Sequence, residues 1–145
     1  MSMKEATIDY ALRATWQAVA RMYNEEAKKF DSTMAVGFTL LSIDPKTGTP
    51  STSLGPKMGM EATSLSRILK SMEQKGLILR KPNPNDGRGV LIYLTEFGLE
   101  KRNDSKNTVL RFNEVVKSEV TDEKLANFFE VTETINKLIA DKKLF

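Results

Sequence analysis

A short run of small hydroxyl side chains followed by an arginine has the clearest chemical potential in this sequence. Thr63, Ser64, Ser66 and Arg67 fall within five consecutive residues, and Lys70 follows one helical turn later. A hydroxyl group donates and accepts hydrogen bonds at close range. A guanidinium group can bond a guanine edge through two N–H groups. These residue types at this spacing indicate recognition of a polar surface by hydrogen bonding.

The apolar residues around this run predict the helix that carries it. Glu61 suits a helix start, because an acidic side chain is favourable near the positive end of the helix dipole. The apolar positions follow the spacing of a half-buried helix: Leu65, Ile68, Leu69 and Met72. Lys75 and Gly76 are the cation and the glycine that commonly end a helix. The hydroxyl-rich run therefore lies in the N-terminal half of this helix, on its polar face.

A shorter helix is predicted immediately before it, which completes a helix-turn-helix over about residues 51–76. Ser51 begins this segment, Leu54 and Met58 lie on one helical face, and Gly59 marks the break. In a DNA-binding helix-turn-helix, the second helix enters the major groove and its N-terminal residues contact base edges. The hydroxyl-rich run occupies that position.

A β-hairpin is predicted over about residues 77–94, and it would add a wing to the helix-turn-helix. Residues 77–81 and 90–94 are apolar runs with β-branched members, separated by a long polar tip rich in turn formers. Arg88 lies in this tip, where a guanidinium group could enter a minor groove. Asp86 is expected to brace Arg88 or to form an Asx turn rather than to contact DNA.

The basic residues are concentrated in this part of the chain. The whole protein has 22 basic and 19 acidic residues. Residues 56–89 contain seven basic and three acidic residues, so the rest of the chain has slightly more acidic than basic residues. Phosphate neutralisation requires such an excess on the DNA-facing surface.

Four segments carry a family pattern in a fixed order. They are TSLSR (63–67), MEQKGLILR (72–80), DGR (86–88) and LTEFG (94–98). This order resembles the winged-helix core of the MarR family of bacterial transcription regulators. The family pattern there is S-T-V-T-R, L-E-x-K-G-L-I-x-R, D-x-R and L-T-x-x-G. Chain length and flanking helices fit as well, so the resemblance covers nearly the whole chain and implies a homodimeric DNA-binding protein.

Two departures from the family pattern affect specific contacts. Gly87 stands where many members have a second wing arginine, so one phosphate contact of each wing is expected to be missing. Gly55 and Pro56 stand where the family prefers good helix formers. Proline disrupts a helix interior. We therefore expect a short helix that starts near residues 52–53, with Pro56 in its first turn.

The remaining chain predicts long helices at both ends, over about residues 5–29 and 96–143, with a break before Thr121. A helix from Thr33 to Ile43 and a turn-rich loop over residues 45–50 precede the helix-turn-helix. The predicted fold is mainly α with a small β-hairpin wing, in one domain over residues 1–145. The apolar stripes of the terminal helices predict an intertwined two-fold dimer.

The composition argues against several other classes of protein. The chain contains no cysteine and no histidine, which removes the commonest thiol, metal and general-base chemistry. Neither paired carboxylates nor a phosphate-binding glycine loop is evident. We therefore expect no enzymatic activity, no metal site and no cofactor. The absence of a secretion signal and of a membrane-length apolar stretch predicts a cytoplasmic protein.

The sequence therefore predicts a sequence-specific regulator that binds a palindromic operator as a homodimer. The predicted DNA contacts are Lys57, Thr63, Ser64, Ser66, Arg67, Lys70 and Arg88. The resemblance implies that a small aromatic or anionic effector releases the DNA. The candidate effector-binding residues are Tyr10, Arg13, Trp16 and Phe38, although residues such as Trp16 and Phe38 more often pack in a core or an interface than bind a ligand. The alternative is a winged-helix protein-interaction module without sequence-specific DNA binding.

Overall fold

The computed structural model describes residues 6–145, apart from the side chains of residues 86–88. This part of the chain forms six helices and a three-stranded antiparallel sheet. In chain order the elements are α1 (Ile8–Lys28), α2 (Met34–Ser42), β1 (Thr49–Pro50), α3 (Ser51–Met58), α4 (Ala62–Gln74), β2 (Ile78–Asn83), β3 (Asp86–Leu94), α5 (Glu96–Glu119) and α6 (Asp122–Ala140). The predicted fold class, mainly α with a small β wing, is confirmed.

The chain divides into two compact units. The first ends at Thr108 and contains α1 to α4, the sheet and the beginning of α5. The second runs from Val109 to Phe145 and contains the end of α5 and all of α6. That residues 1–145 form a single domain stays a prediction. Within residues 6–145, no helix combines the length and the apolar character that crossing a membrane requires.

Threonine residues cap the N-termini of four of the described helices. The side chain of each accepts a hydrogen bond from an amide of the first turn. The four are Thr7 before α1, Thr33 before α2, Thr95 before α5 and Thr121 before α6. The starts of α2, α5 and α6 agree with the sequence analysis. The predicted start of α1 near residue 5 was too early, because Thr7 caps the helix and Ile8 is its first residue.

The core of the first unit joins α2, α3, α4 and the sheet. Its fully buried apolar side chains are Leu40, Ile43, Leu54, Met72, Ile78 and Ile92. Three of the four residues in the predicted α4 stripe are buried, namely Leu65, Leu69 and Met72, and Ile68 packs at the edge of the core. This burial fixes the rotation of α4 about its own axis, and therefore fixes which of its side chains face solvent.

Helix α3 is short, as predicted, but it does not accommodate Pro56 in the predicted way. The helix begins at Ser51 rather than near residues 52–53, so Pro56 lies in its second turn. Proline lacks the amide donor and crowds the carbonyl one turn earlier. α3 ends two residues later, at Met58, and Gly59 adopts the left-handed conformation with φ 62°.

The short strand β1 was missed by the sequence analysis, which predicted only a loop over residues 45–50. Thr49 pairs with Ile92 and Pro50 pairs with Leu91, so β3 is the central strand of the sheet. Asp44 folds the loop back: its carboxylate accepts hydrogen bonds from two loop amides, which lowers the pKa of this carboxyl group. Two residues are too few to show the alternation of apolar and polar side chains from which a strand is predicted.

The wing hairpin is tighter than predicted. Pairing continues to Pro82 with Val90 and to Asn83 with Asp86, so the turn contains only two residues instead of a long polar tip. The register shifts between Pro82 and Asn83, where β3 has extra residues. Pro82 is compatible with pairing because β2 is an edge strand of the sheet, where a missing amide donor can be tolerated.

Gly98 in the first turn of α5 allows a close approach between the helix and the chain that leaves α4. A Cβ atom at this position would overlap the backbone oxygen of Leu77. The Leu77 oxygen also accepts a hydrogen bond from the Thr95 amide at 3.1 Å, so it is held against the start of α5. Glycine at residue 98 therefore sets the distance between α5 and the end of the helix-turn-helix.

We predict that Gly98→Ala destabilises the protein by about 2–4 kcal/mol, because the methyl group forces α5 away from Leu77. Gly59→Ala is the control, since its Cβ would meet nothing within 4 Å and only the positive φ is unfavourable. It should cost about 1 kcal/mol. Urea unfolding at a single protein concentration measures both values. If both substitutions lowered the free energy of unfolding equally, the contact with Leu77 would not account for the effect of Gly98→Ala.

Candidate nucleic-acid interface

The polar face of α4 presents five predicted contact residues together. Thr63, Ser64, Ser66, Arg67 and Lys70 are all exposed, whereas Leu65 and Leu69 between them are buried. No other described residue makes a hydrogen bond or an ion pair with any of these five side chains. Their hydrogen-bonding groups are therefore available to an external partner. The structure brings them together because the helical repeat places them opposite the buried stripe.

The N-terminus of α4 adds backbone donors to this surface. Glu61 is the N-cap residue, but its side chain makes no capping hydrogen bond. The first amides of a helix have no partner within the helix, and the helix dipole favours an anion beside them. The same end of α4 carries the threonine and serine residues. A phosphate group and a base edge could thus be bound by adjacent parts of one helix.

Lys57, a predicted DNA contact, is exposed and has a hydrogen-bond partner within the chain. Its amine donates a hydrogen bond to the backbone oxygen of Ser42 at 3.3 Å. Ser42 is the last residue of α2, where carbonyl groups lack helical partners and a cation is favourable. Lys57 therefore links α3 to the end of α2. Contact of Lys57 with DNA stays a prediction.

The C-terminal end of α4 is tied to the start of α5 through the side chain of Thr95. Thr95 Oγ1 donates a hydrogen bond to the Gly76 backbone oxygen at 2.6 Å and accepts one from the Gly98 amide at 2.9 Å. Gly76 follows α4 and has a φ of 74°, a conformation that favours glycine. One hydroxyl group thus fixes the end of α4 against the start of α5.

Charged side chains on the sheet pair with local partners. Arg80 Nε lies 3.3 Å from Glu73 Oε2, which connects β2 to the last turn of α4. Both side chains are substantially exposed, so we assign this pair little stability. The Lys81 amine lies 5.1 Å from the ring centroid of Tyr93. The predicted wing residues Asp86 and Arg88 have side chains outside the described part of the structure, and their roles stay predictions.

The four candidate effector residues do not meet in one pocket of the chain. Tyr10, Arg13 and Trp16 are exposed on α1, with the Arg13 guanidinium 5.9 Å from the centroid of the Tyr10 ring. Phe38 instead packs edge-on against Tyr23, with ring centroids 5.5 Å apart. Tyr23 lies about 20 Å further along α1 than Tyr10 at the helical rise of about 1.5 Å per residue. Sequence spacing alone could not reveal this separation.

The helix-turn-helix, the antiparallel wing and the free polar face of α4 define a winged-helix protein of the DNA-binding type. A model of the MarR family matches residues 33–90, from the cap of α2 into β3. The organic hydroperoxide resistance transcriptional regulator of Bacillus subtilis is 31% identical over 109 residues, which cover 73% of this chain and 74% of that protein. The chain belongs to the MarR family of transcription regulators.

Solved structures agree with this assignment. A cysteine-to-serine mutant of MarR from Escherichia coli, complexed with operator DNA, is 25% identical to this chain and has a TM-score of 0.78. The match covers 88% of this chain and 92% of the MarR chain. The PcaV transcriptional regulator of Streptomyces coelicolor, in complex with its natural ligand, has 19% identity and a TM-score of 0.78. The match covers 94% of this chain and 96% of the PcaV chain, and it shows that the two proteins share a fold.

We predict that Thr95→Val destabilises the protein by about 1–2 kcal/mol, because the Gly76 oxygen and the Gly98 amide both lose their hydroxyl partner. Thr95→Ser keeps the hydroxyl group and should remain within about 0.5 kcal/mol of the original protein. Thermal unfolding measures the stability, and amide hydrogen exchange at Gly98 reports the local bond. Valine and serine variants with the same exchange rate would contradict the role of the hydroxyl group.

Proposed function

We propose that this protein is a homodimeric transcription regulator that binds a near-palindromic DNA operator. The observation that supports it most directly is the set of five exposed side chains on α4 that have no partner among the described residues. Buried leucines on the opposite side of α4 hold this polar face outward. Membership of the MarR family and the operator complex of the Escherichia coli relative support the same role.

The residues of α4 divide into two kinds of contact in this proposal. Arg67 reads a guanine edge, and the hydroxyl groups of Thr63, Ser64 and Ser66 read neighbouring base edges or phosphates at close range. Lys70 lies one turn further along α4 and binds the phosphate backbone, which gives affinity without sequence information. Lys57 and the wing residue Arg88 add backbone and minor-groove contacts, and Asp86 supports the wing.

Exposed apolar side chains at both ends of the chain support the proposed dimer. Ile8, Leu12 and Trp16 on α1 are exposed by 67%, 43% and 53%. In the second unit, Phe128 and Ile139 on α6 are exposed by 53% and 58%. Soluble monomers rarely leave such apolar surface uncovered, so a second copy of the chain is the expected partner. A two-fold dimer presents two recognition helices about 34 Å apart, which is one turn of DNA.

We also propose that a small molecule regulates the binding of DNA. The ligand complex of PcaV, a protein with the same fold, supports it. An effector that prefers a dimer with wrongly spaced recognition helices would lower DNA affinity by shifting the population of dimers. Tyr10, Arg13 and Trp16 remain candidates on α1, where a partner subunit would have to complete the site. Phe38 is a weaker candidate, because it already packs against Tyr23.

A protein-interaction module is the competing function, and DNA titration separates the two. The first experiment selects binding sites from random DNA duplexes and then titrates the selected duplex at two salt concentrations. An inverted repeat with half-sites one turn apart, and a salt slope that indicates several phosphate contacts, are the expected results. Absence of duplex binding would favour the interaction module.

We predict that Arg67→Ala weakens binding to the selected operator by about 1–3 kcal/mol and relaxes the preference at one base position. Lys70→Met is the matched comparison on the same face of α4. It should weaken binding to operator and random duplexes alike, and lower the salt slope by about one. Fluorescence anisotropy measures both proteins on both duplexes. Equal losses for Arg67→Ala on the two duplexes would refute a base-reading role.

We predict that Phe128→Asp shifts the protein from dimer towards monomer, because a carboxylate placed in an apolar interface must be desolvated. Ala126→Asp adds the same charge two residues away, on the opposite side of α6, and should leave the dimer intact. Sedimentation over a range of concentrations measures the dissociation constant. A dimer that is unaffected by Phe128→Asp would exclude this face of α6 from the interface.

A further inference from the structure

The N-cap residue of α4 carries a carboxylate that takes no part in the contacts proposed so far. Glu61 is exposed, and its side chain forms no capping hydrogen bond. Among the residues that the structure describes, no lysine or arginine nitrogen lies within 4.0 Å of its carboxylate oxygens. Glu73, in the last turn of the same helix, is instead paired with Arg80 at 3.3 Å. The Glu61 carboxylate is therefore available to an external donor.

The backbone of Glu61 is fixed, although its side chain has no local partner. The Met60 amide donates a hydrogen bond to the Gly55 oxygen at 2.9 Å, and the Leu65 amide donates one to the Glu61 oxygen at 3.0 Å. Met60 and Leu65 occupy the two positions of a hydrophobic staple, and both pack in the core of the first unit. The turn between α3 and α4 thus holds Glu61 at the N-terminal tip of α4.

This tip is the end of α4 that carries the hydroxyl groups proposed to read bases. Thr63 and Ser64 follow Glu61 closely in the sequence, and Arg67 lies further along the helix. Glu61 and Arg67 are about 9 Å apart along the axis at about 1.5 Å per residue. DNA rises by about 3.4 Å per base pair, so with α4 in the major groove they face positions roughly two or three base pairs apart. The two charged side chains would therefore contact different base pairs of one half-site.

A carboxylate beside DNA is unfavourable unless it meets a hydrogen-bond donor. Phosphate groups repel it, and so do the acceptor atoms of the base edges, which are guanine O6 and N7, adenine N7 and thymine O4. Cytosine differs from the other bases because its major-groove edge presents the N4 amino group and no acceptor. An ionised carboxylate has acceptor oxygens only. It therefore bonds the cytosine amino group and disfavours the other three edges.

We propose that Glu61 reads a cytosine in each half-site of the operator, by accepting a hydrogen bond from the N4 amino group. This inference rests on the proposed function, because it requires α4 to enter the major groove of an operator. Glu61 then contributes to specificity more than to affinity. It gains a hydrogen bond at the correct base, whereas on any other sequence the same charge is only repelled by phosphates and acceptor edges.

Selection from random duplexes, carried out with the original protein and with two variants of Glu61, tests the assignment. We expect the original protein to enrich an inverted repeat with a cytosine at one fixed position of each half-site. Glu61→Ala should enrich the same repeat without a preference at that position. Glu61→Gln should shift the preference there from cytosine towards adenine, because a glutamine amide pairs with adenine N6 and N7.

Fluorescence anisotropy measures the size of the effect on two duplexes. One is the selected operator, and the other has thymine in place of the assigned cytosine in both half-sites. The original protein should bind the thymine duplex at least about fivefold more weakly. Glu61→Ala should bind the two duplexes within about twofold of each other. It should also bind a random duplex more tightly than the original protein does, because a charge that phosphates repel has been removed.

Glu73→Gln is the matched control, since it removes a carboxylate from the other end of α4. It should keep the loss of at least about fivefold on the thymine duplex. Thermal unfolding tests for a structural role of Glu61. Because this side chain makes no capping bond, Glu61→Ala should keep its melting temperature within about 2 °C of the original protein. A larger fall with an unchanged base preference would overturn the assignment.

The selection also separates this inference from the proposed function. An enriched repeat with identical preferences in the original protein and in Glu61→Ala would overturn base reading by Glu61 and would leave the proposed regulator supported. A preference that Glu61→Ala loses at a base other than cytosine would overturn the cytosine assignment in the same way. Absence of any enriched repeat with the original protein would refute the proposed function and this inference together.

Discussion

The burial of one side of α4 is the constraint on which the position of its exposed polar face depends. Leu65, Leu69 and Met72 enter a core shared with α2, α3 and the sheet. Truncating such side chains to alanine typically costs about 2–5 kcal/mol, so the helix cannot rotate without losing much of the stability of a small domain. The exposed residues of α4 are therefore held in position by the buried side chains on its other side.

The sequence predicted the elements that rest on a strong local signal. The stripe of α4, the glycine after it and the starts of α2, α5 and α6 follow from rules that involve a few neighbouring residues. The exposed position of Thr63, Ser64, Ser66 and Arg67 follows from the same periodicity. The structure confirms these placements because burial and helical geometry favour the same orientation of the chain.

Features that depend on residues far apart in sequence could not be predicted in this way. Strand β1 exists only because residues 49 and 50 meet β3 some 40 positions later. The proline and asparagine residues of the wing are typical of a loop, yet an edge strand accommodates Pro82. Lys57 and Phe38 have local partners on other elements, and residue type alone does not reveal either partner.

Pro50 belongs to two elements at once, since it pairs with Leu91 in the sheet and is also the N-cap residue of α3. Pro50 therefore joins α3 directly to β3, the strand that the hairpin shares with β1. Under the proposed function, this joint restricts separate movement of the wing and the helix-turn-helix when the protein meets grooves of unequal width. DNA that departs from the matching groove dimensions must itself deform, at an energy that depends on its base steps. Part of the sequence preference would then arise at base pairs that no side chain touches.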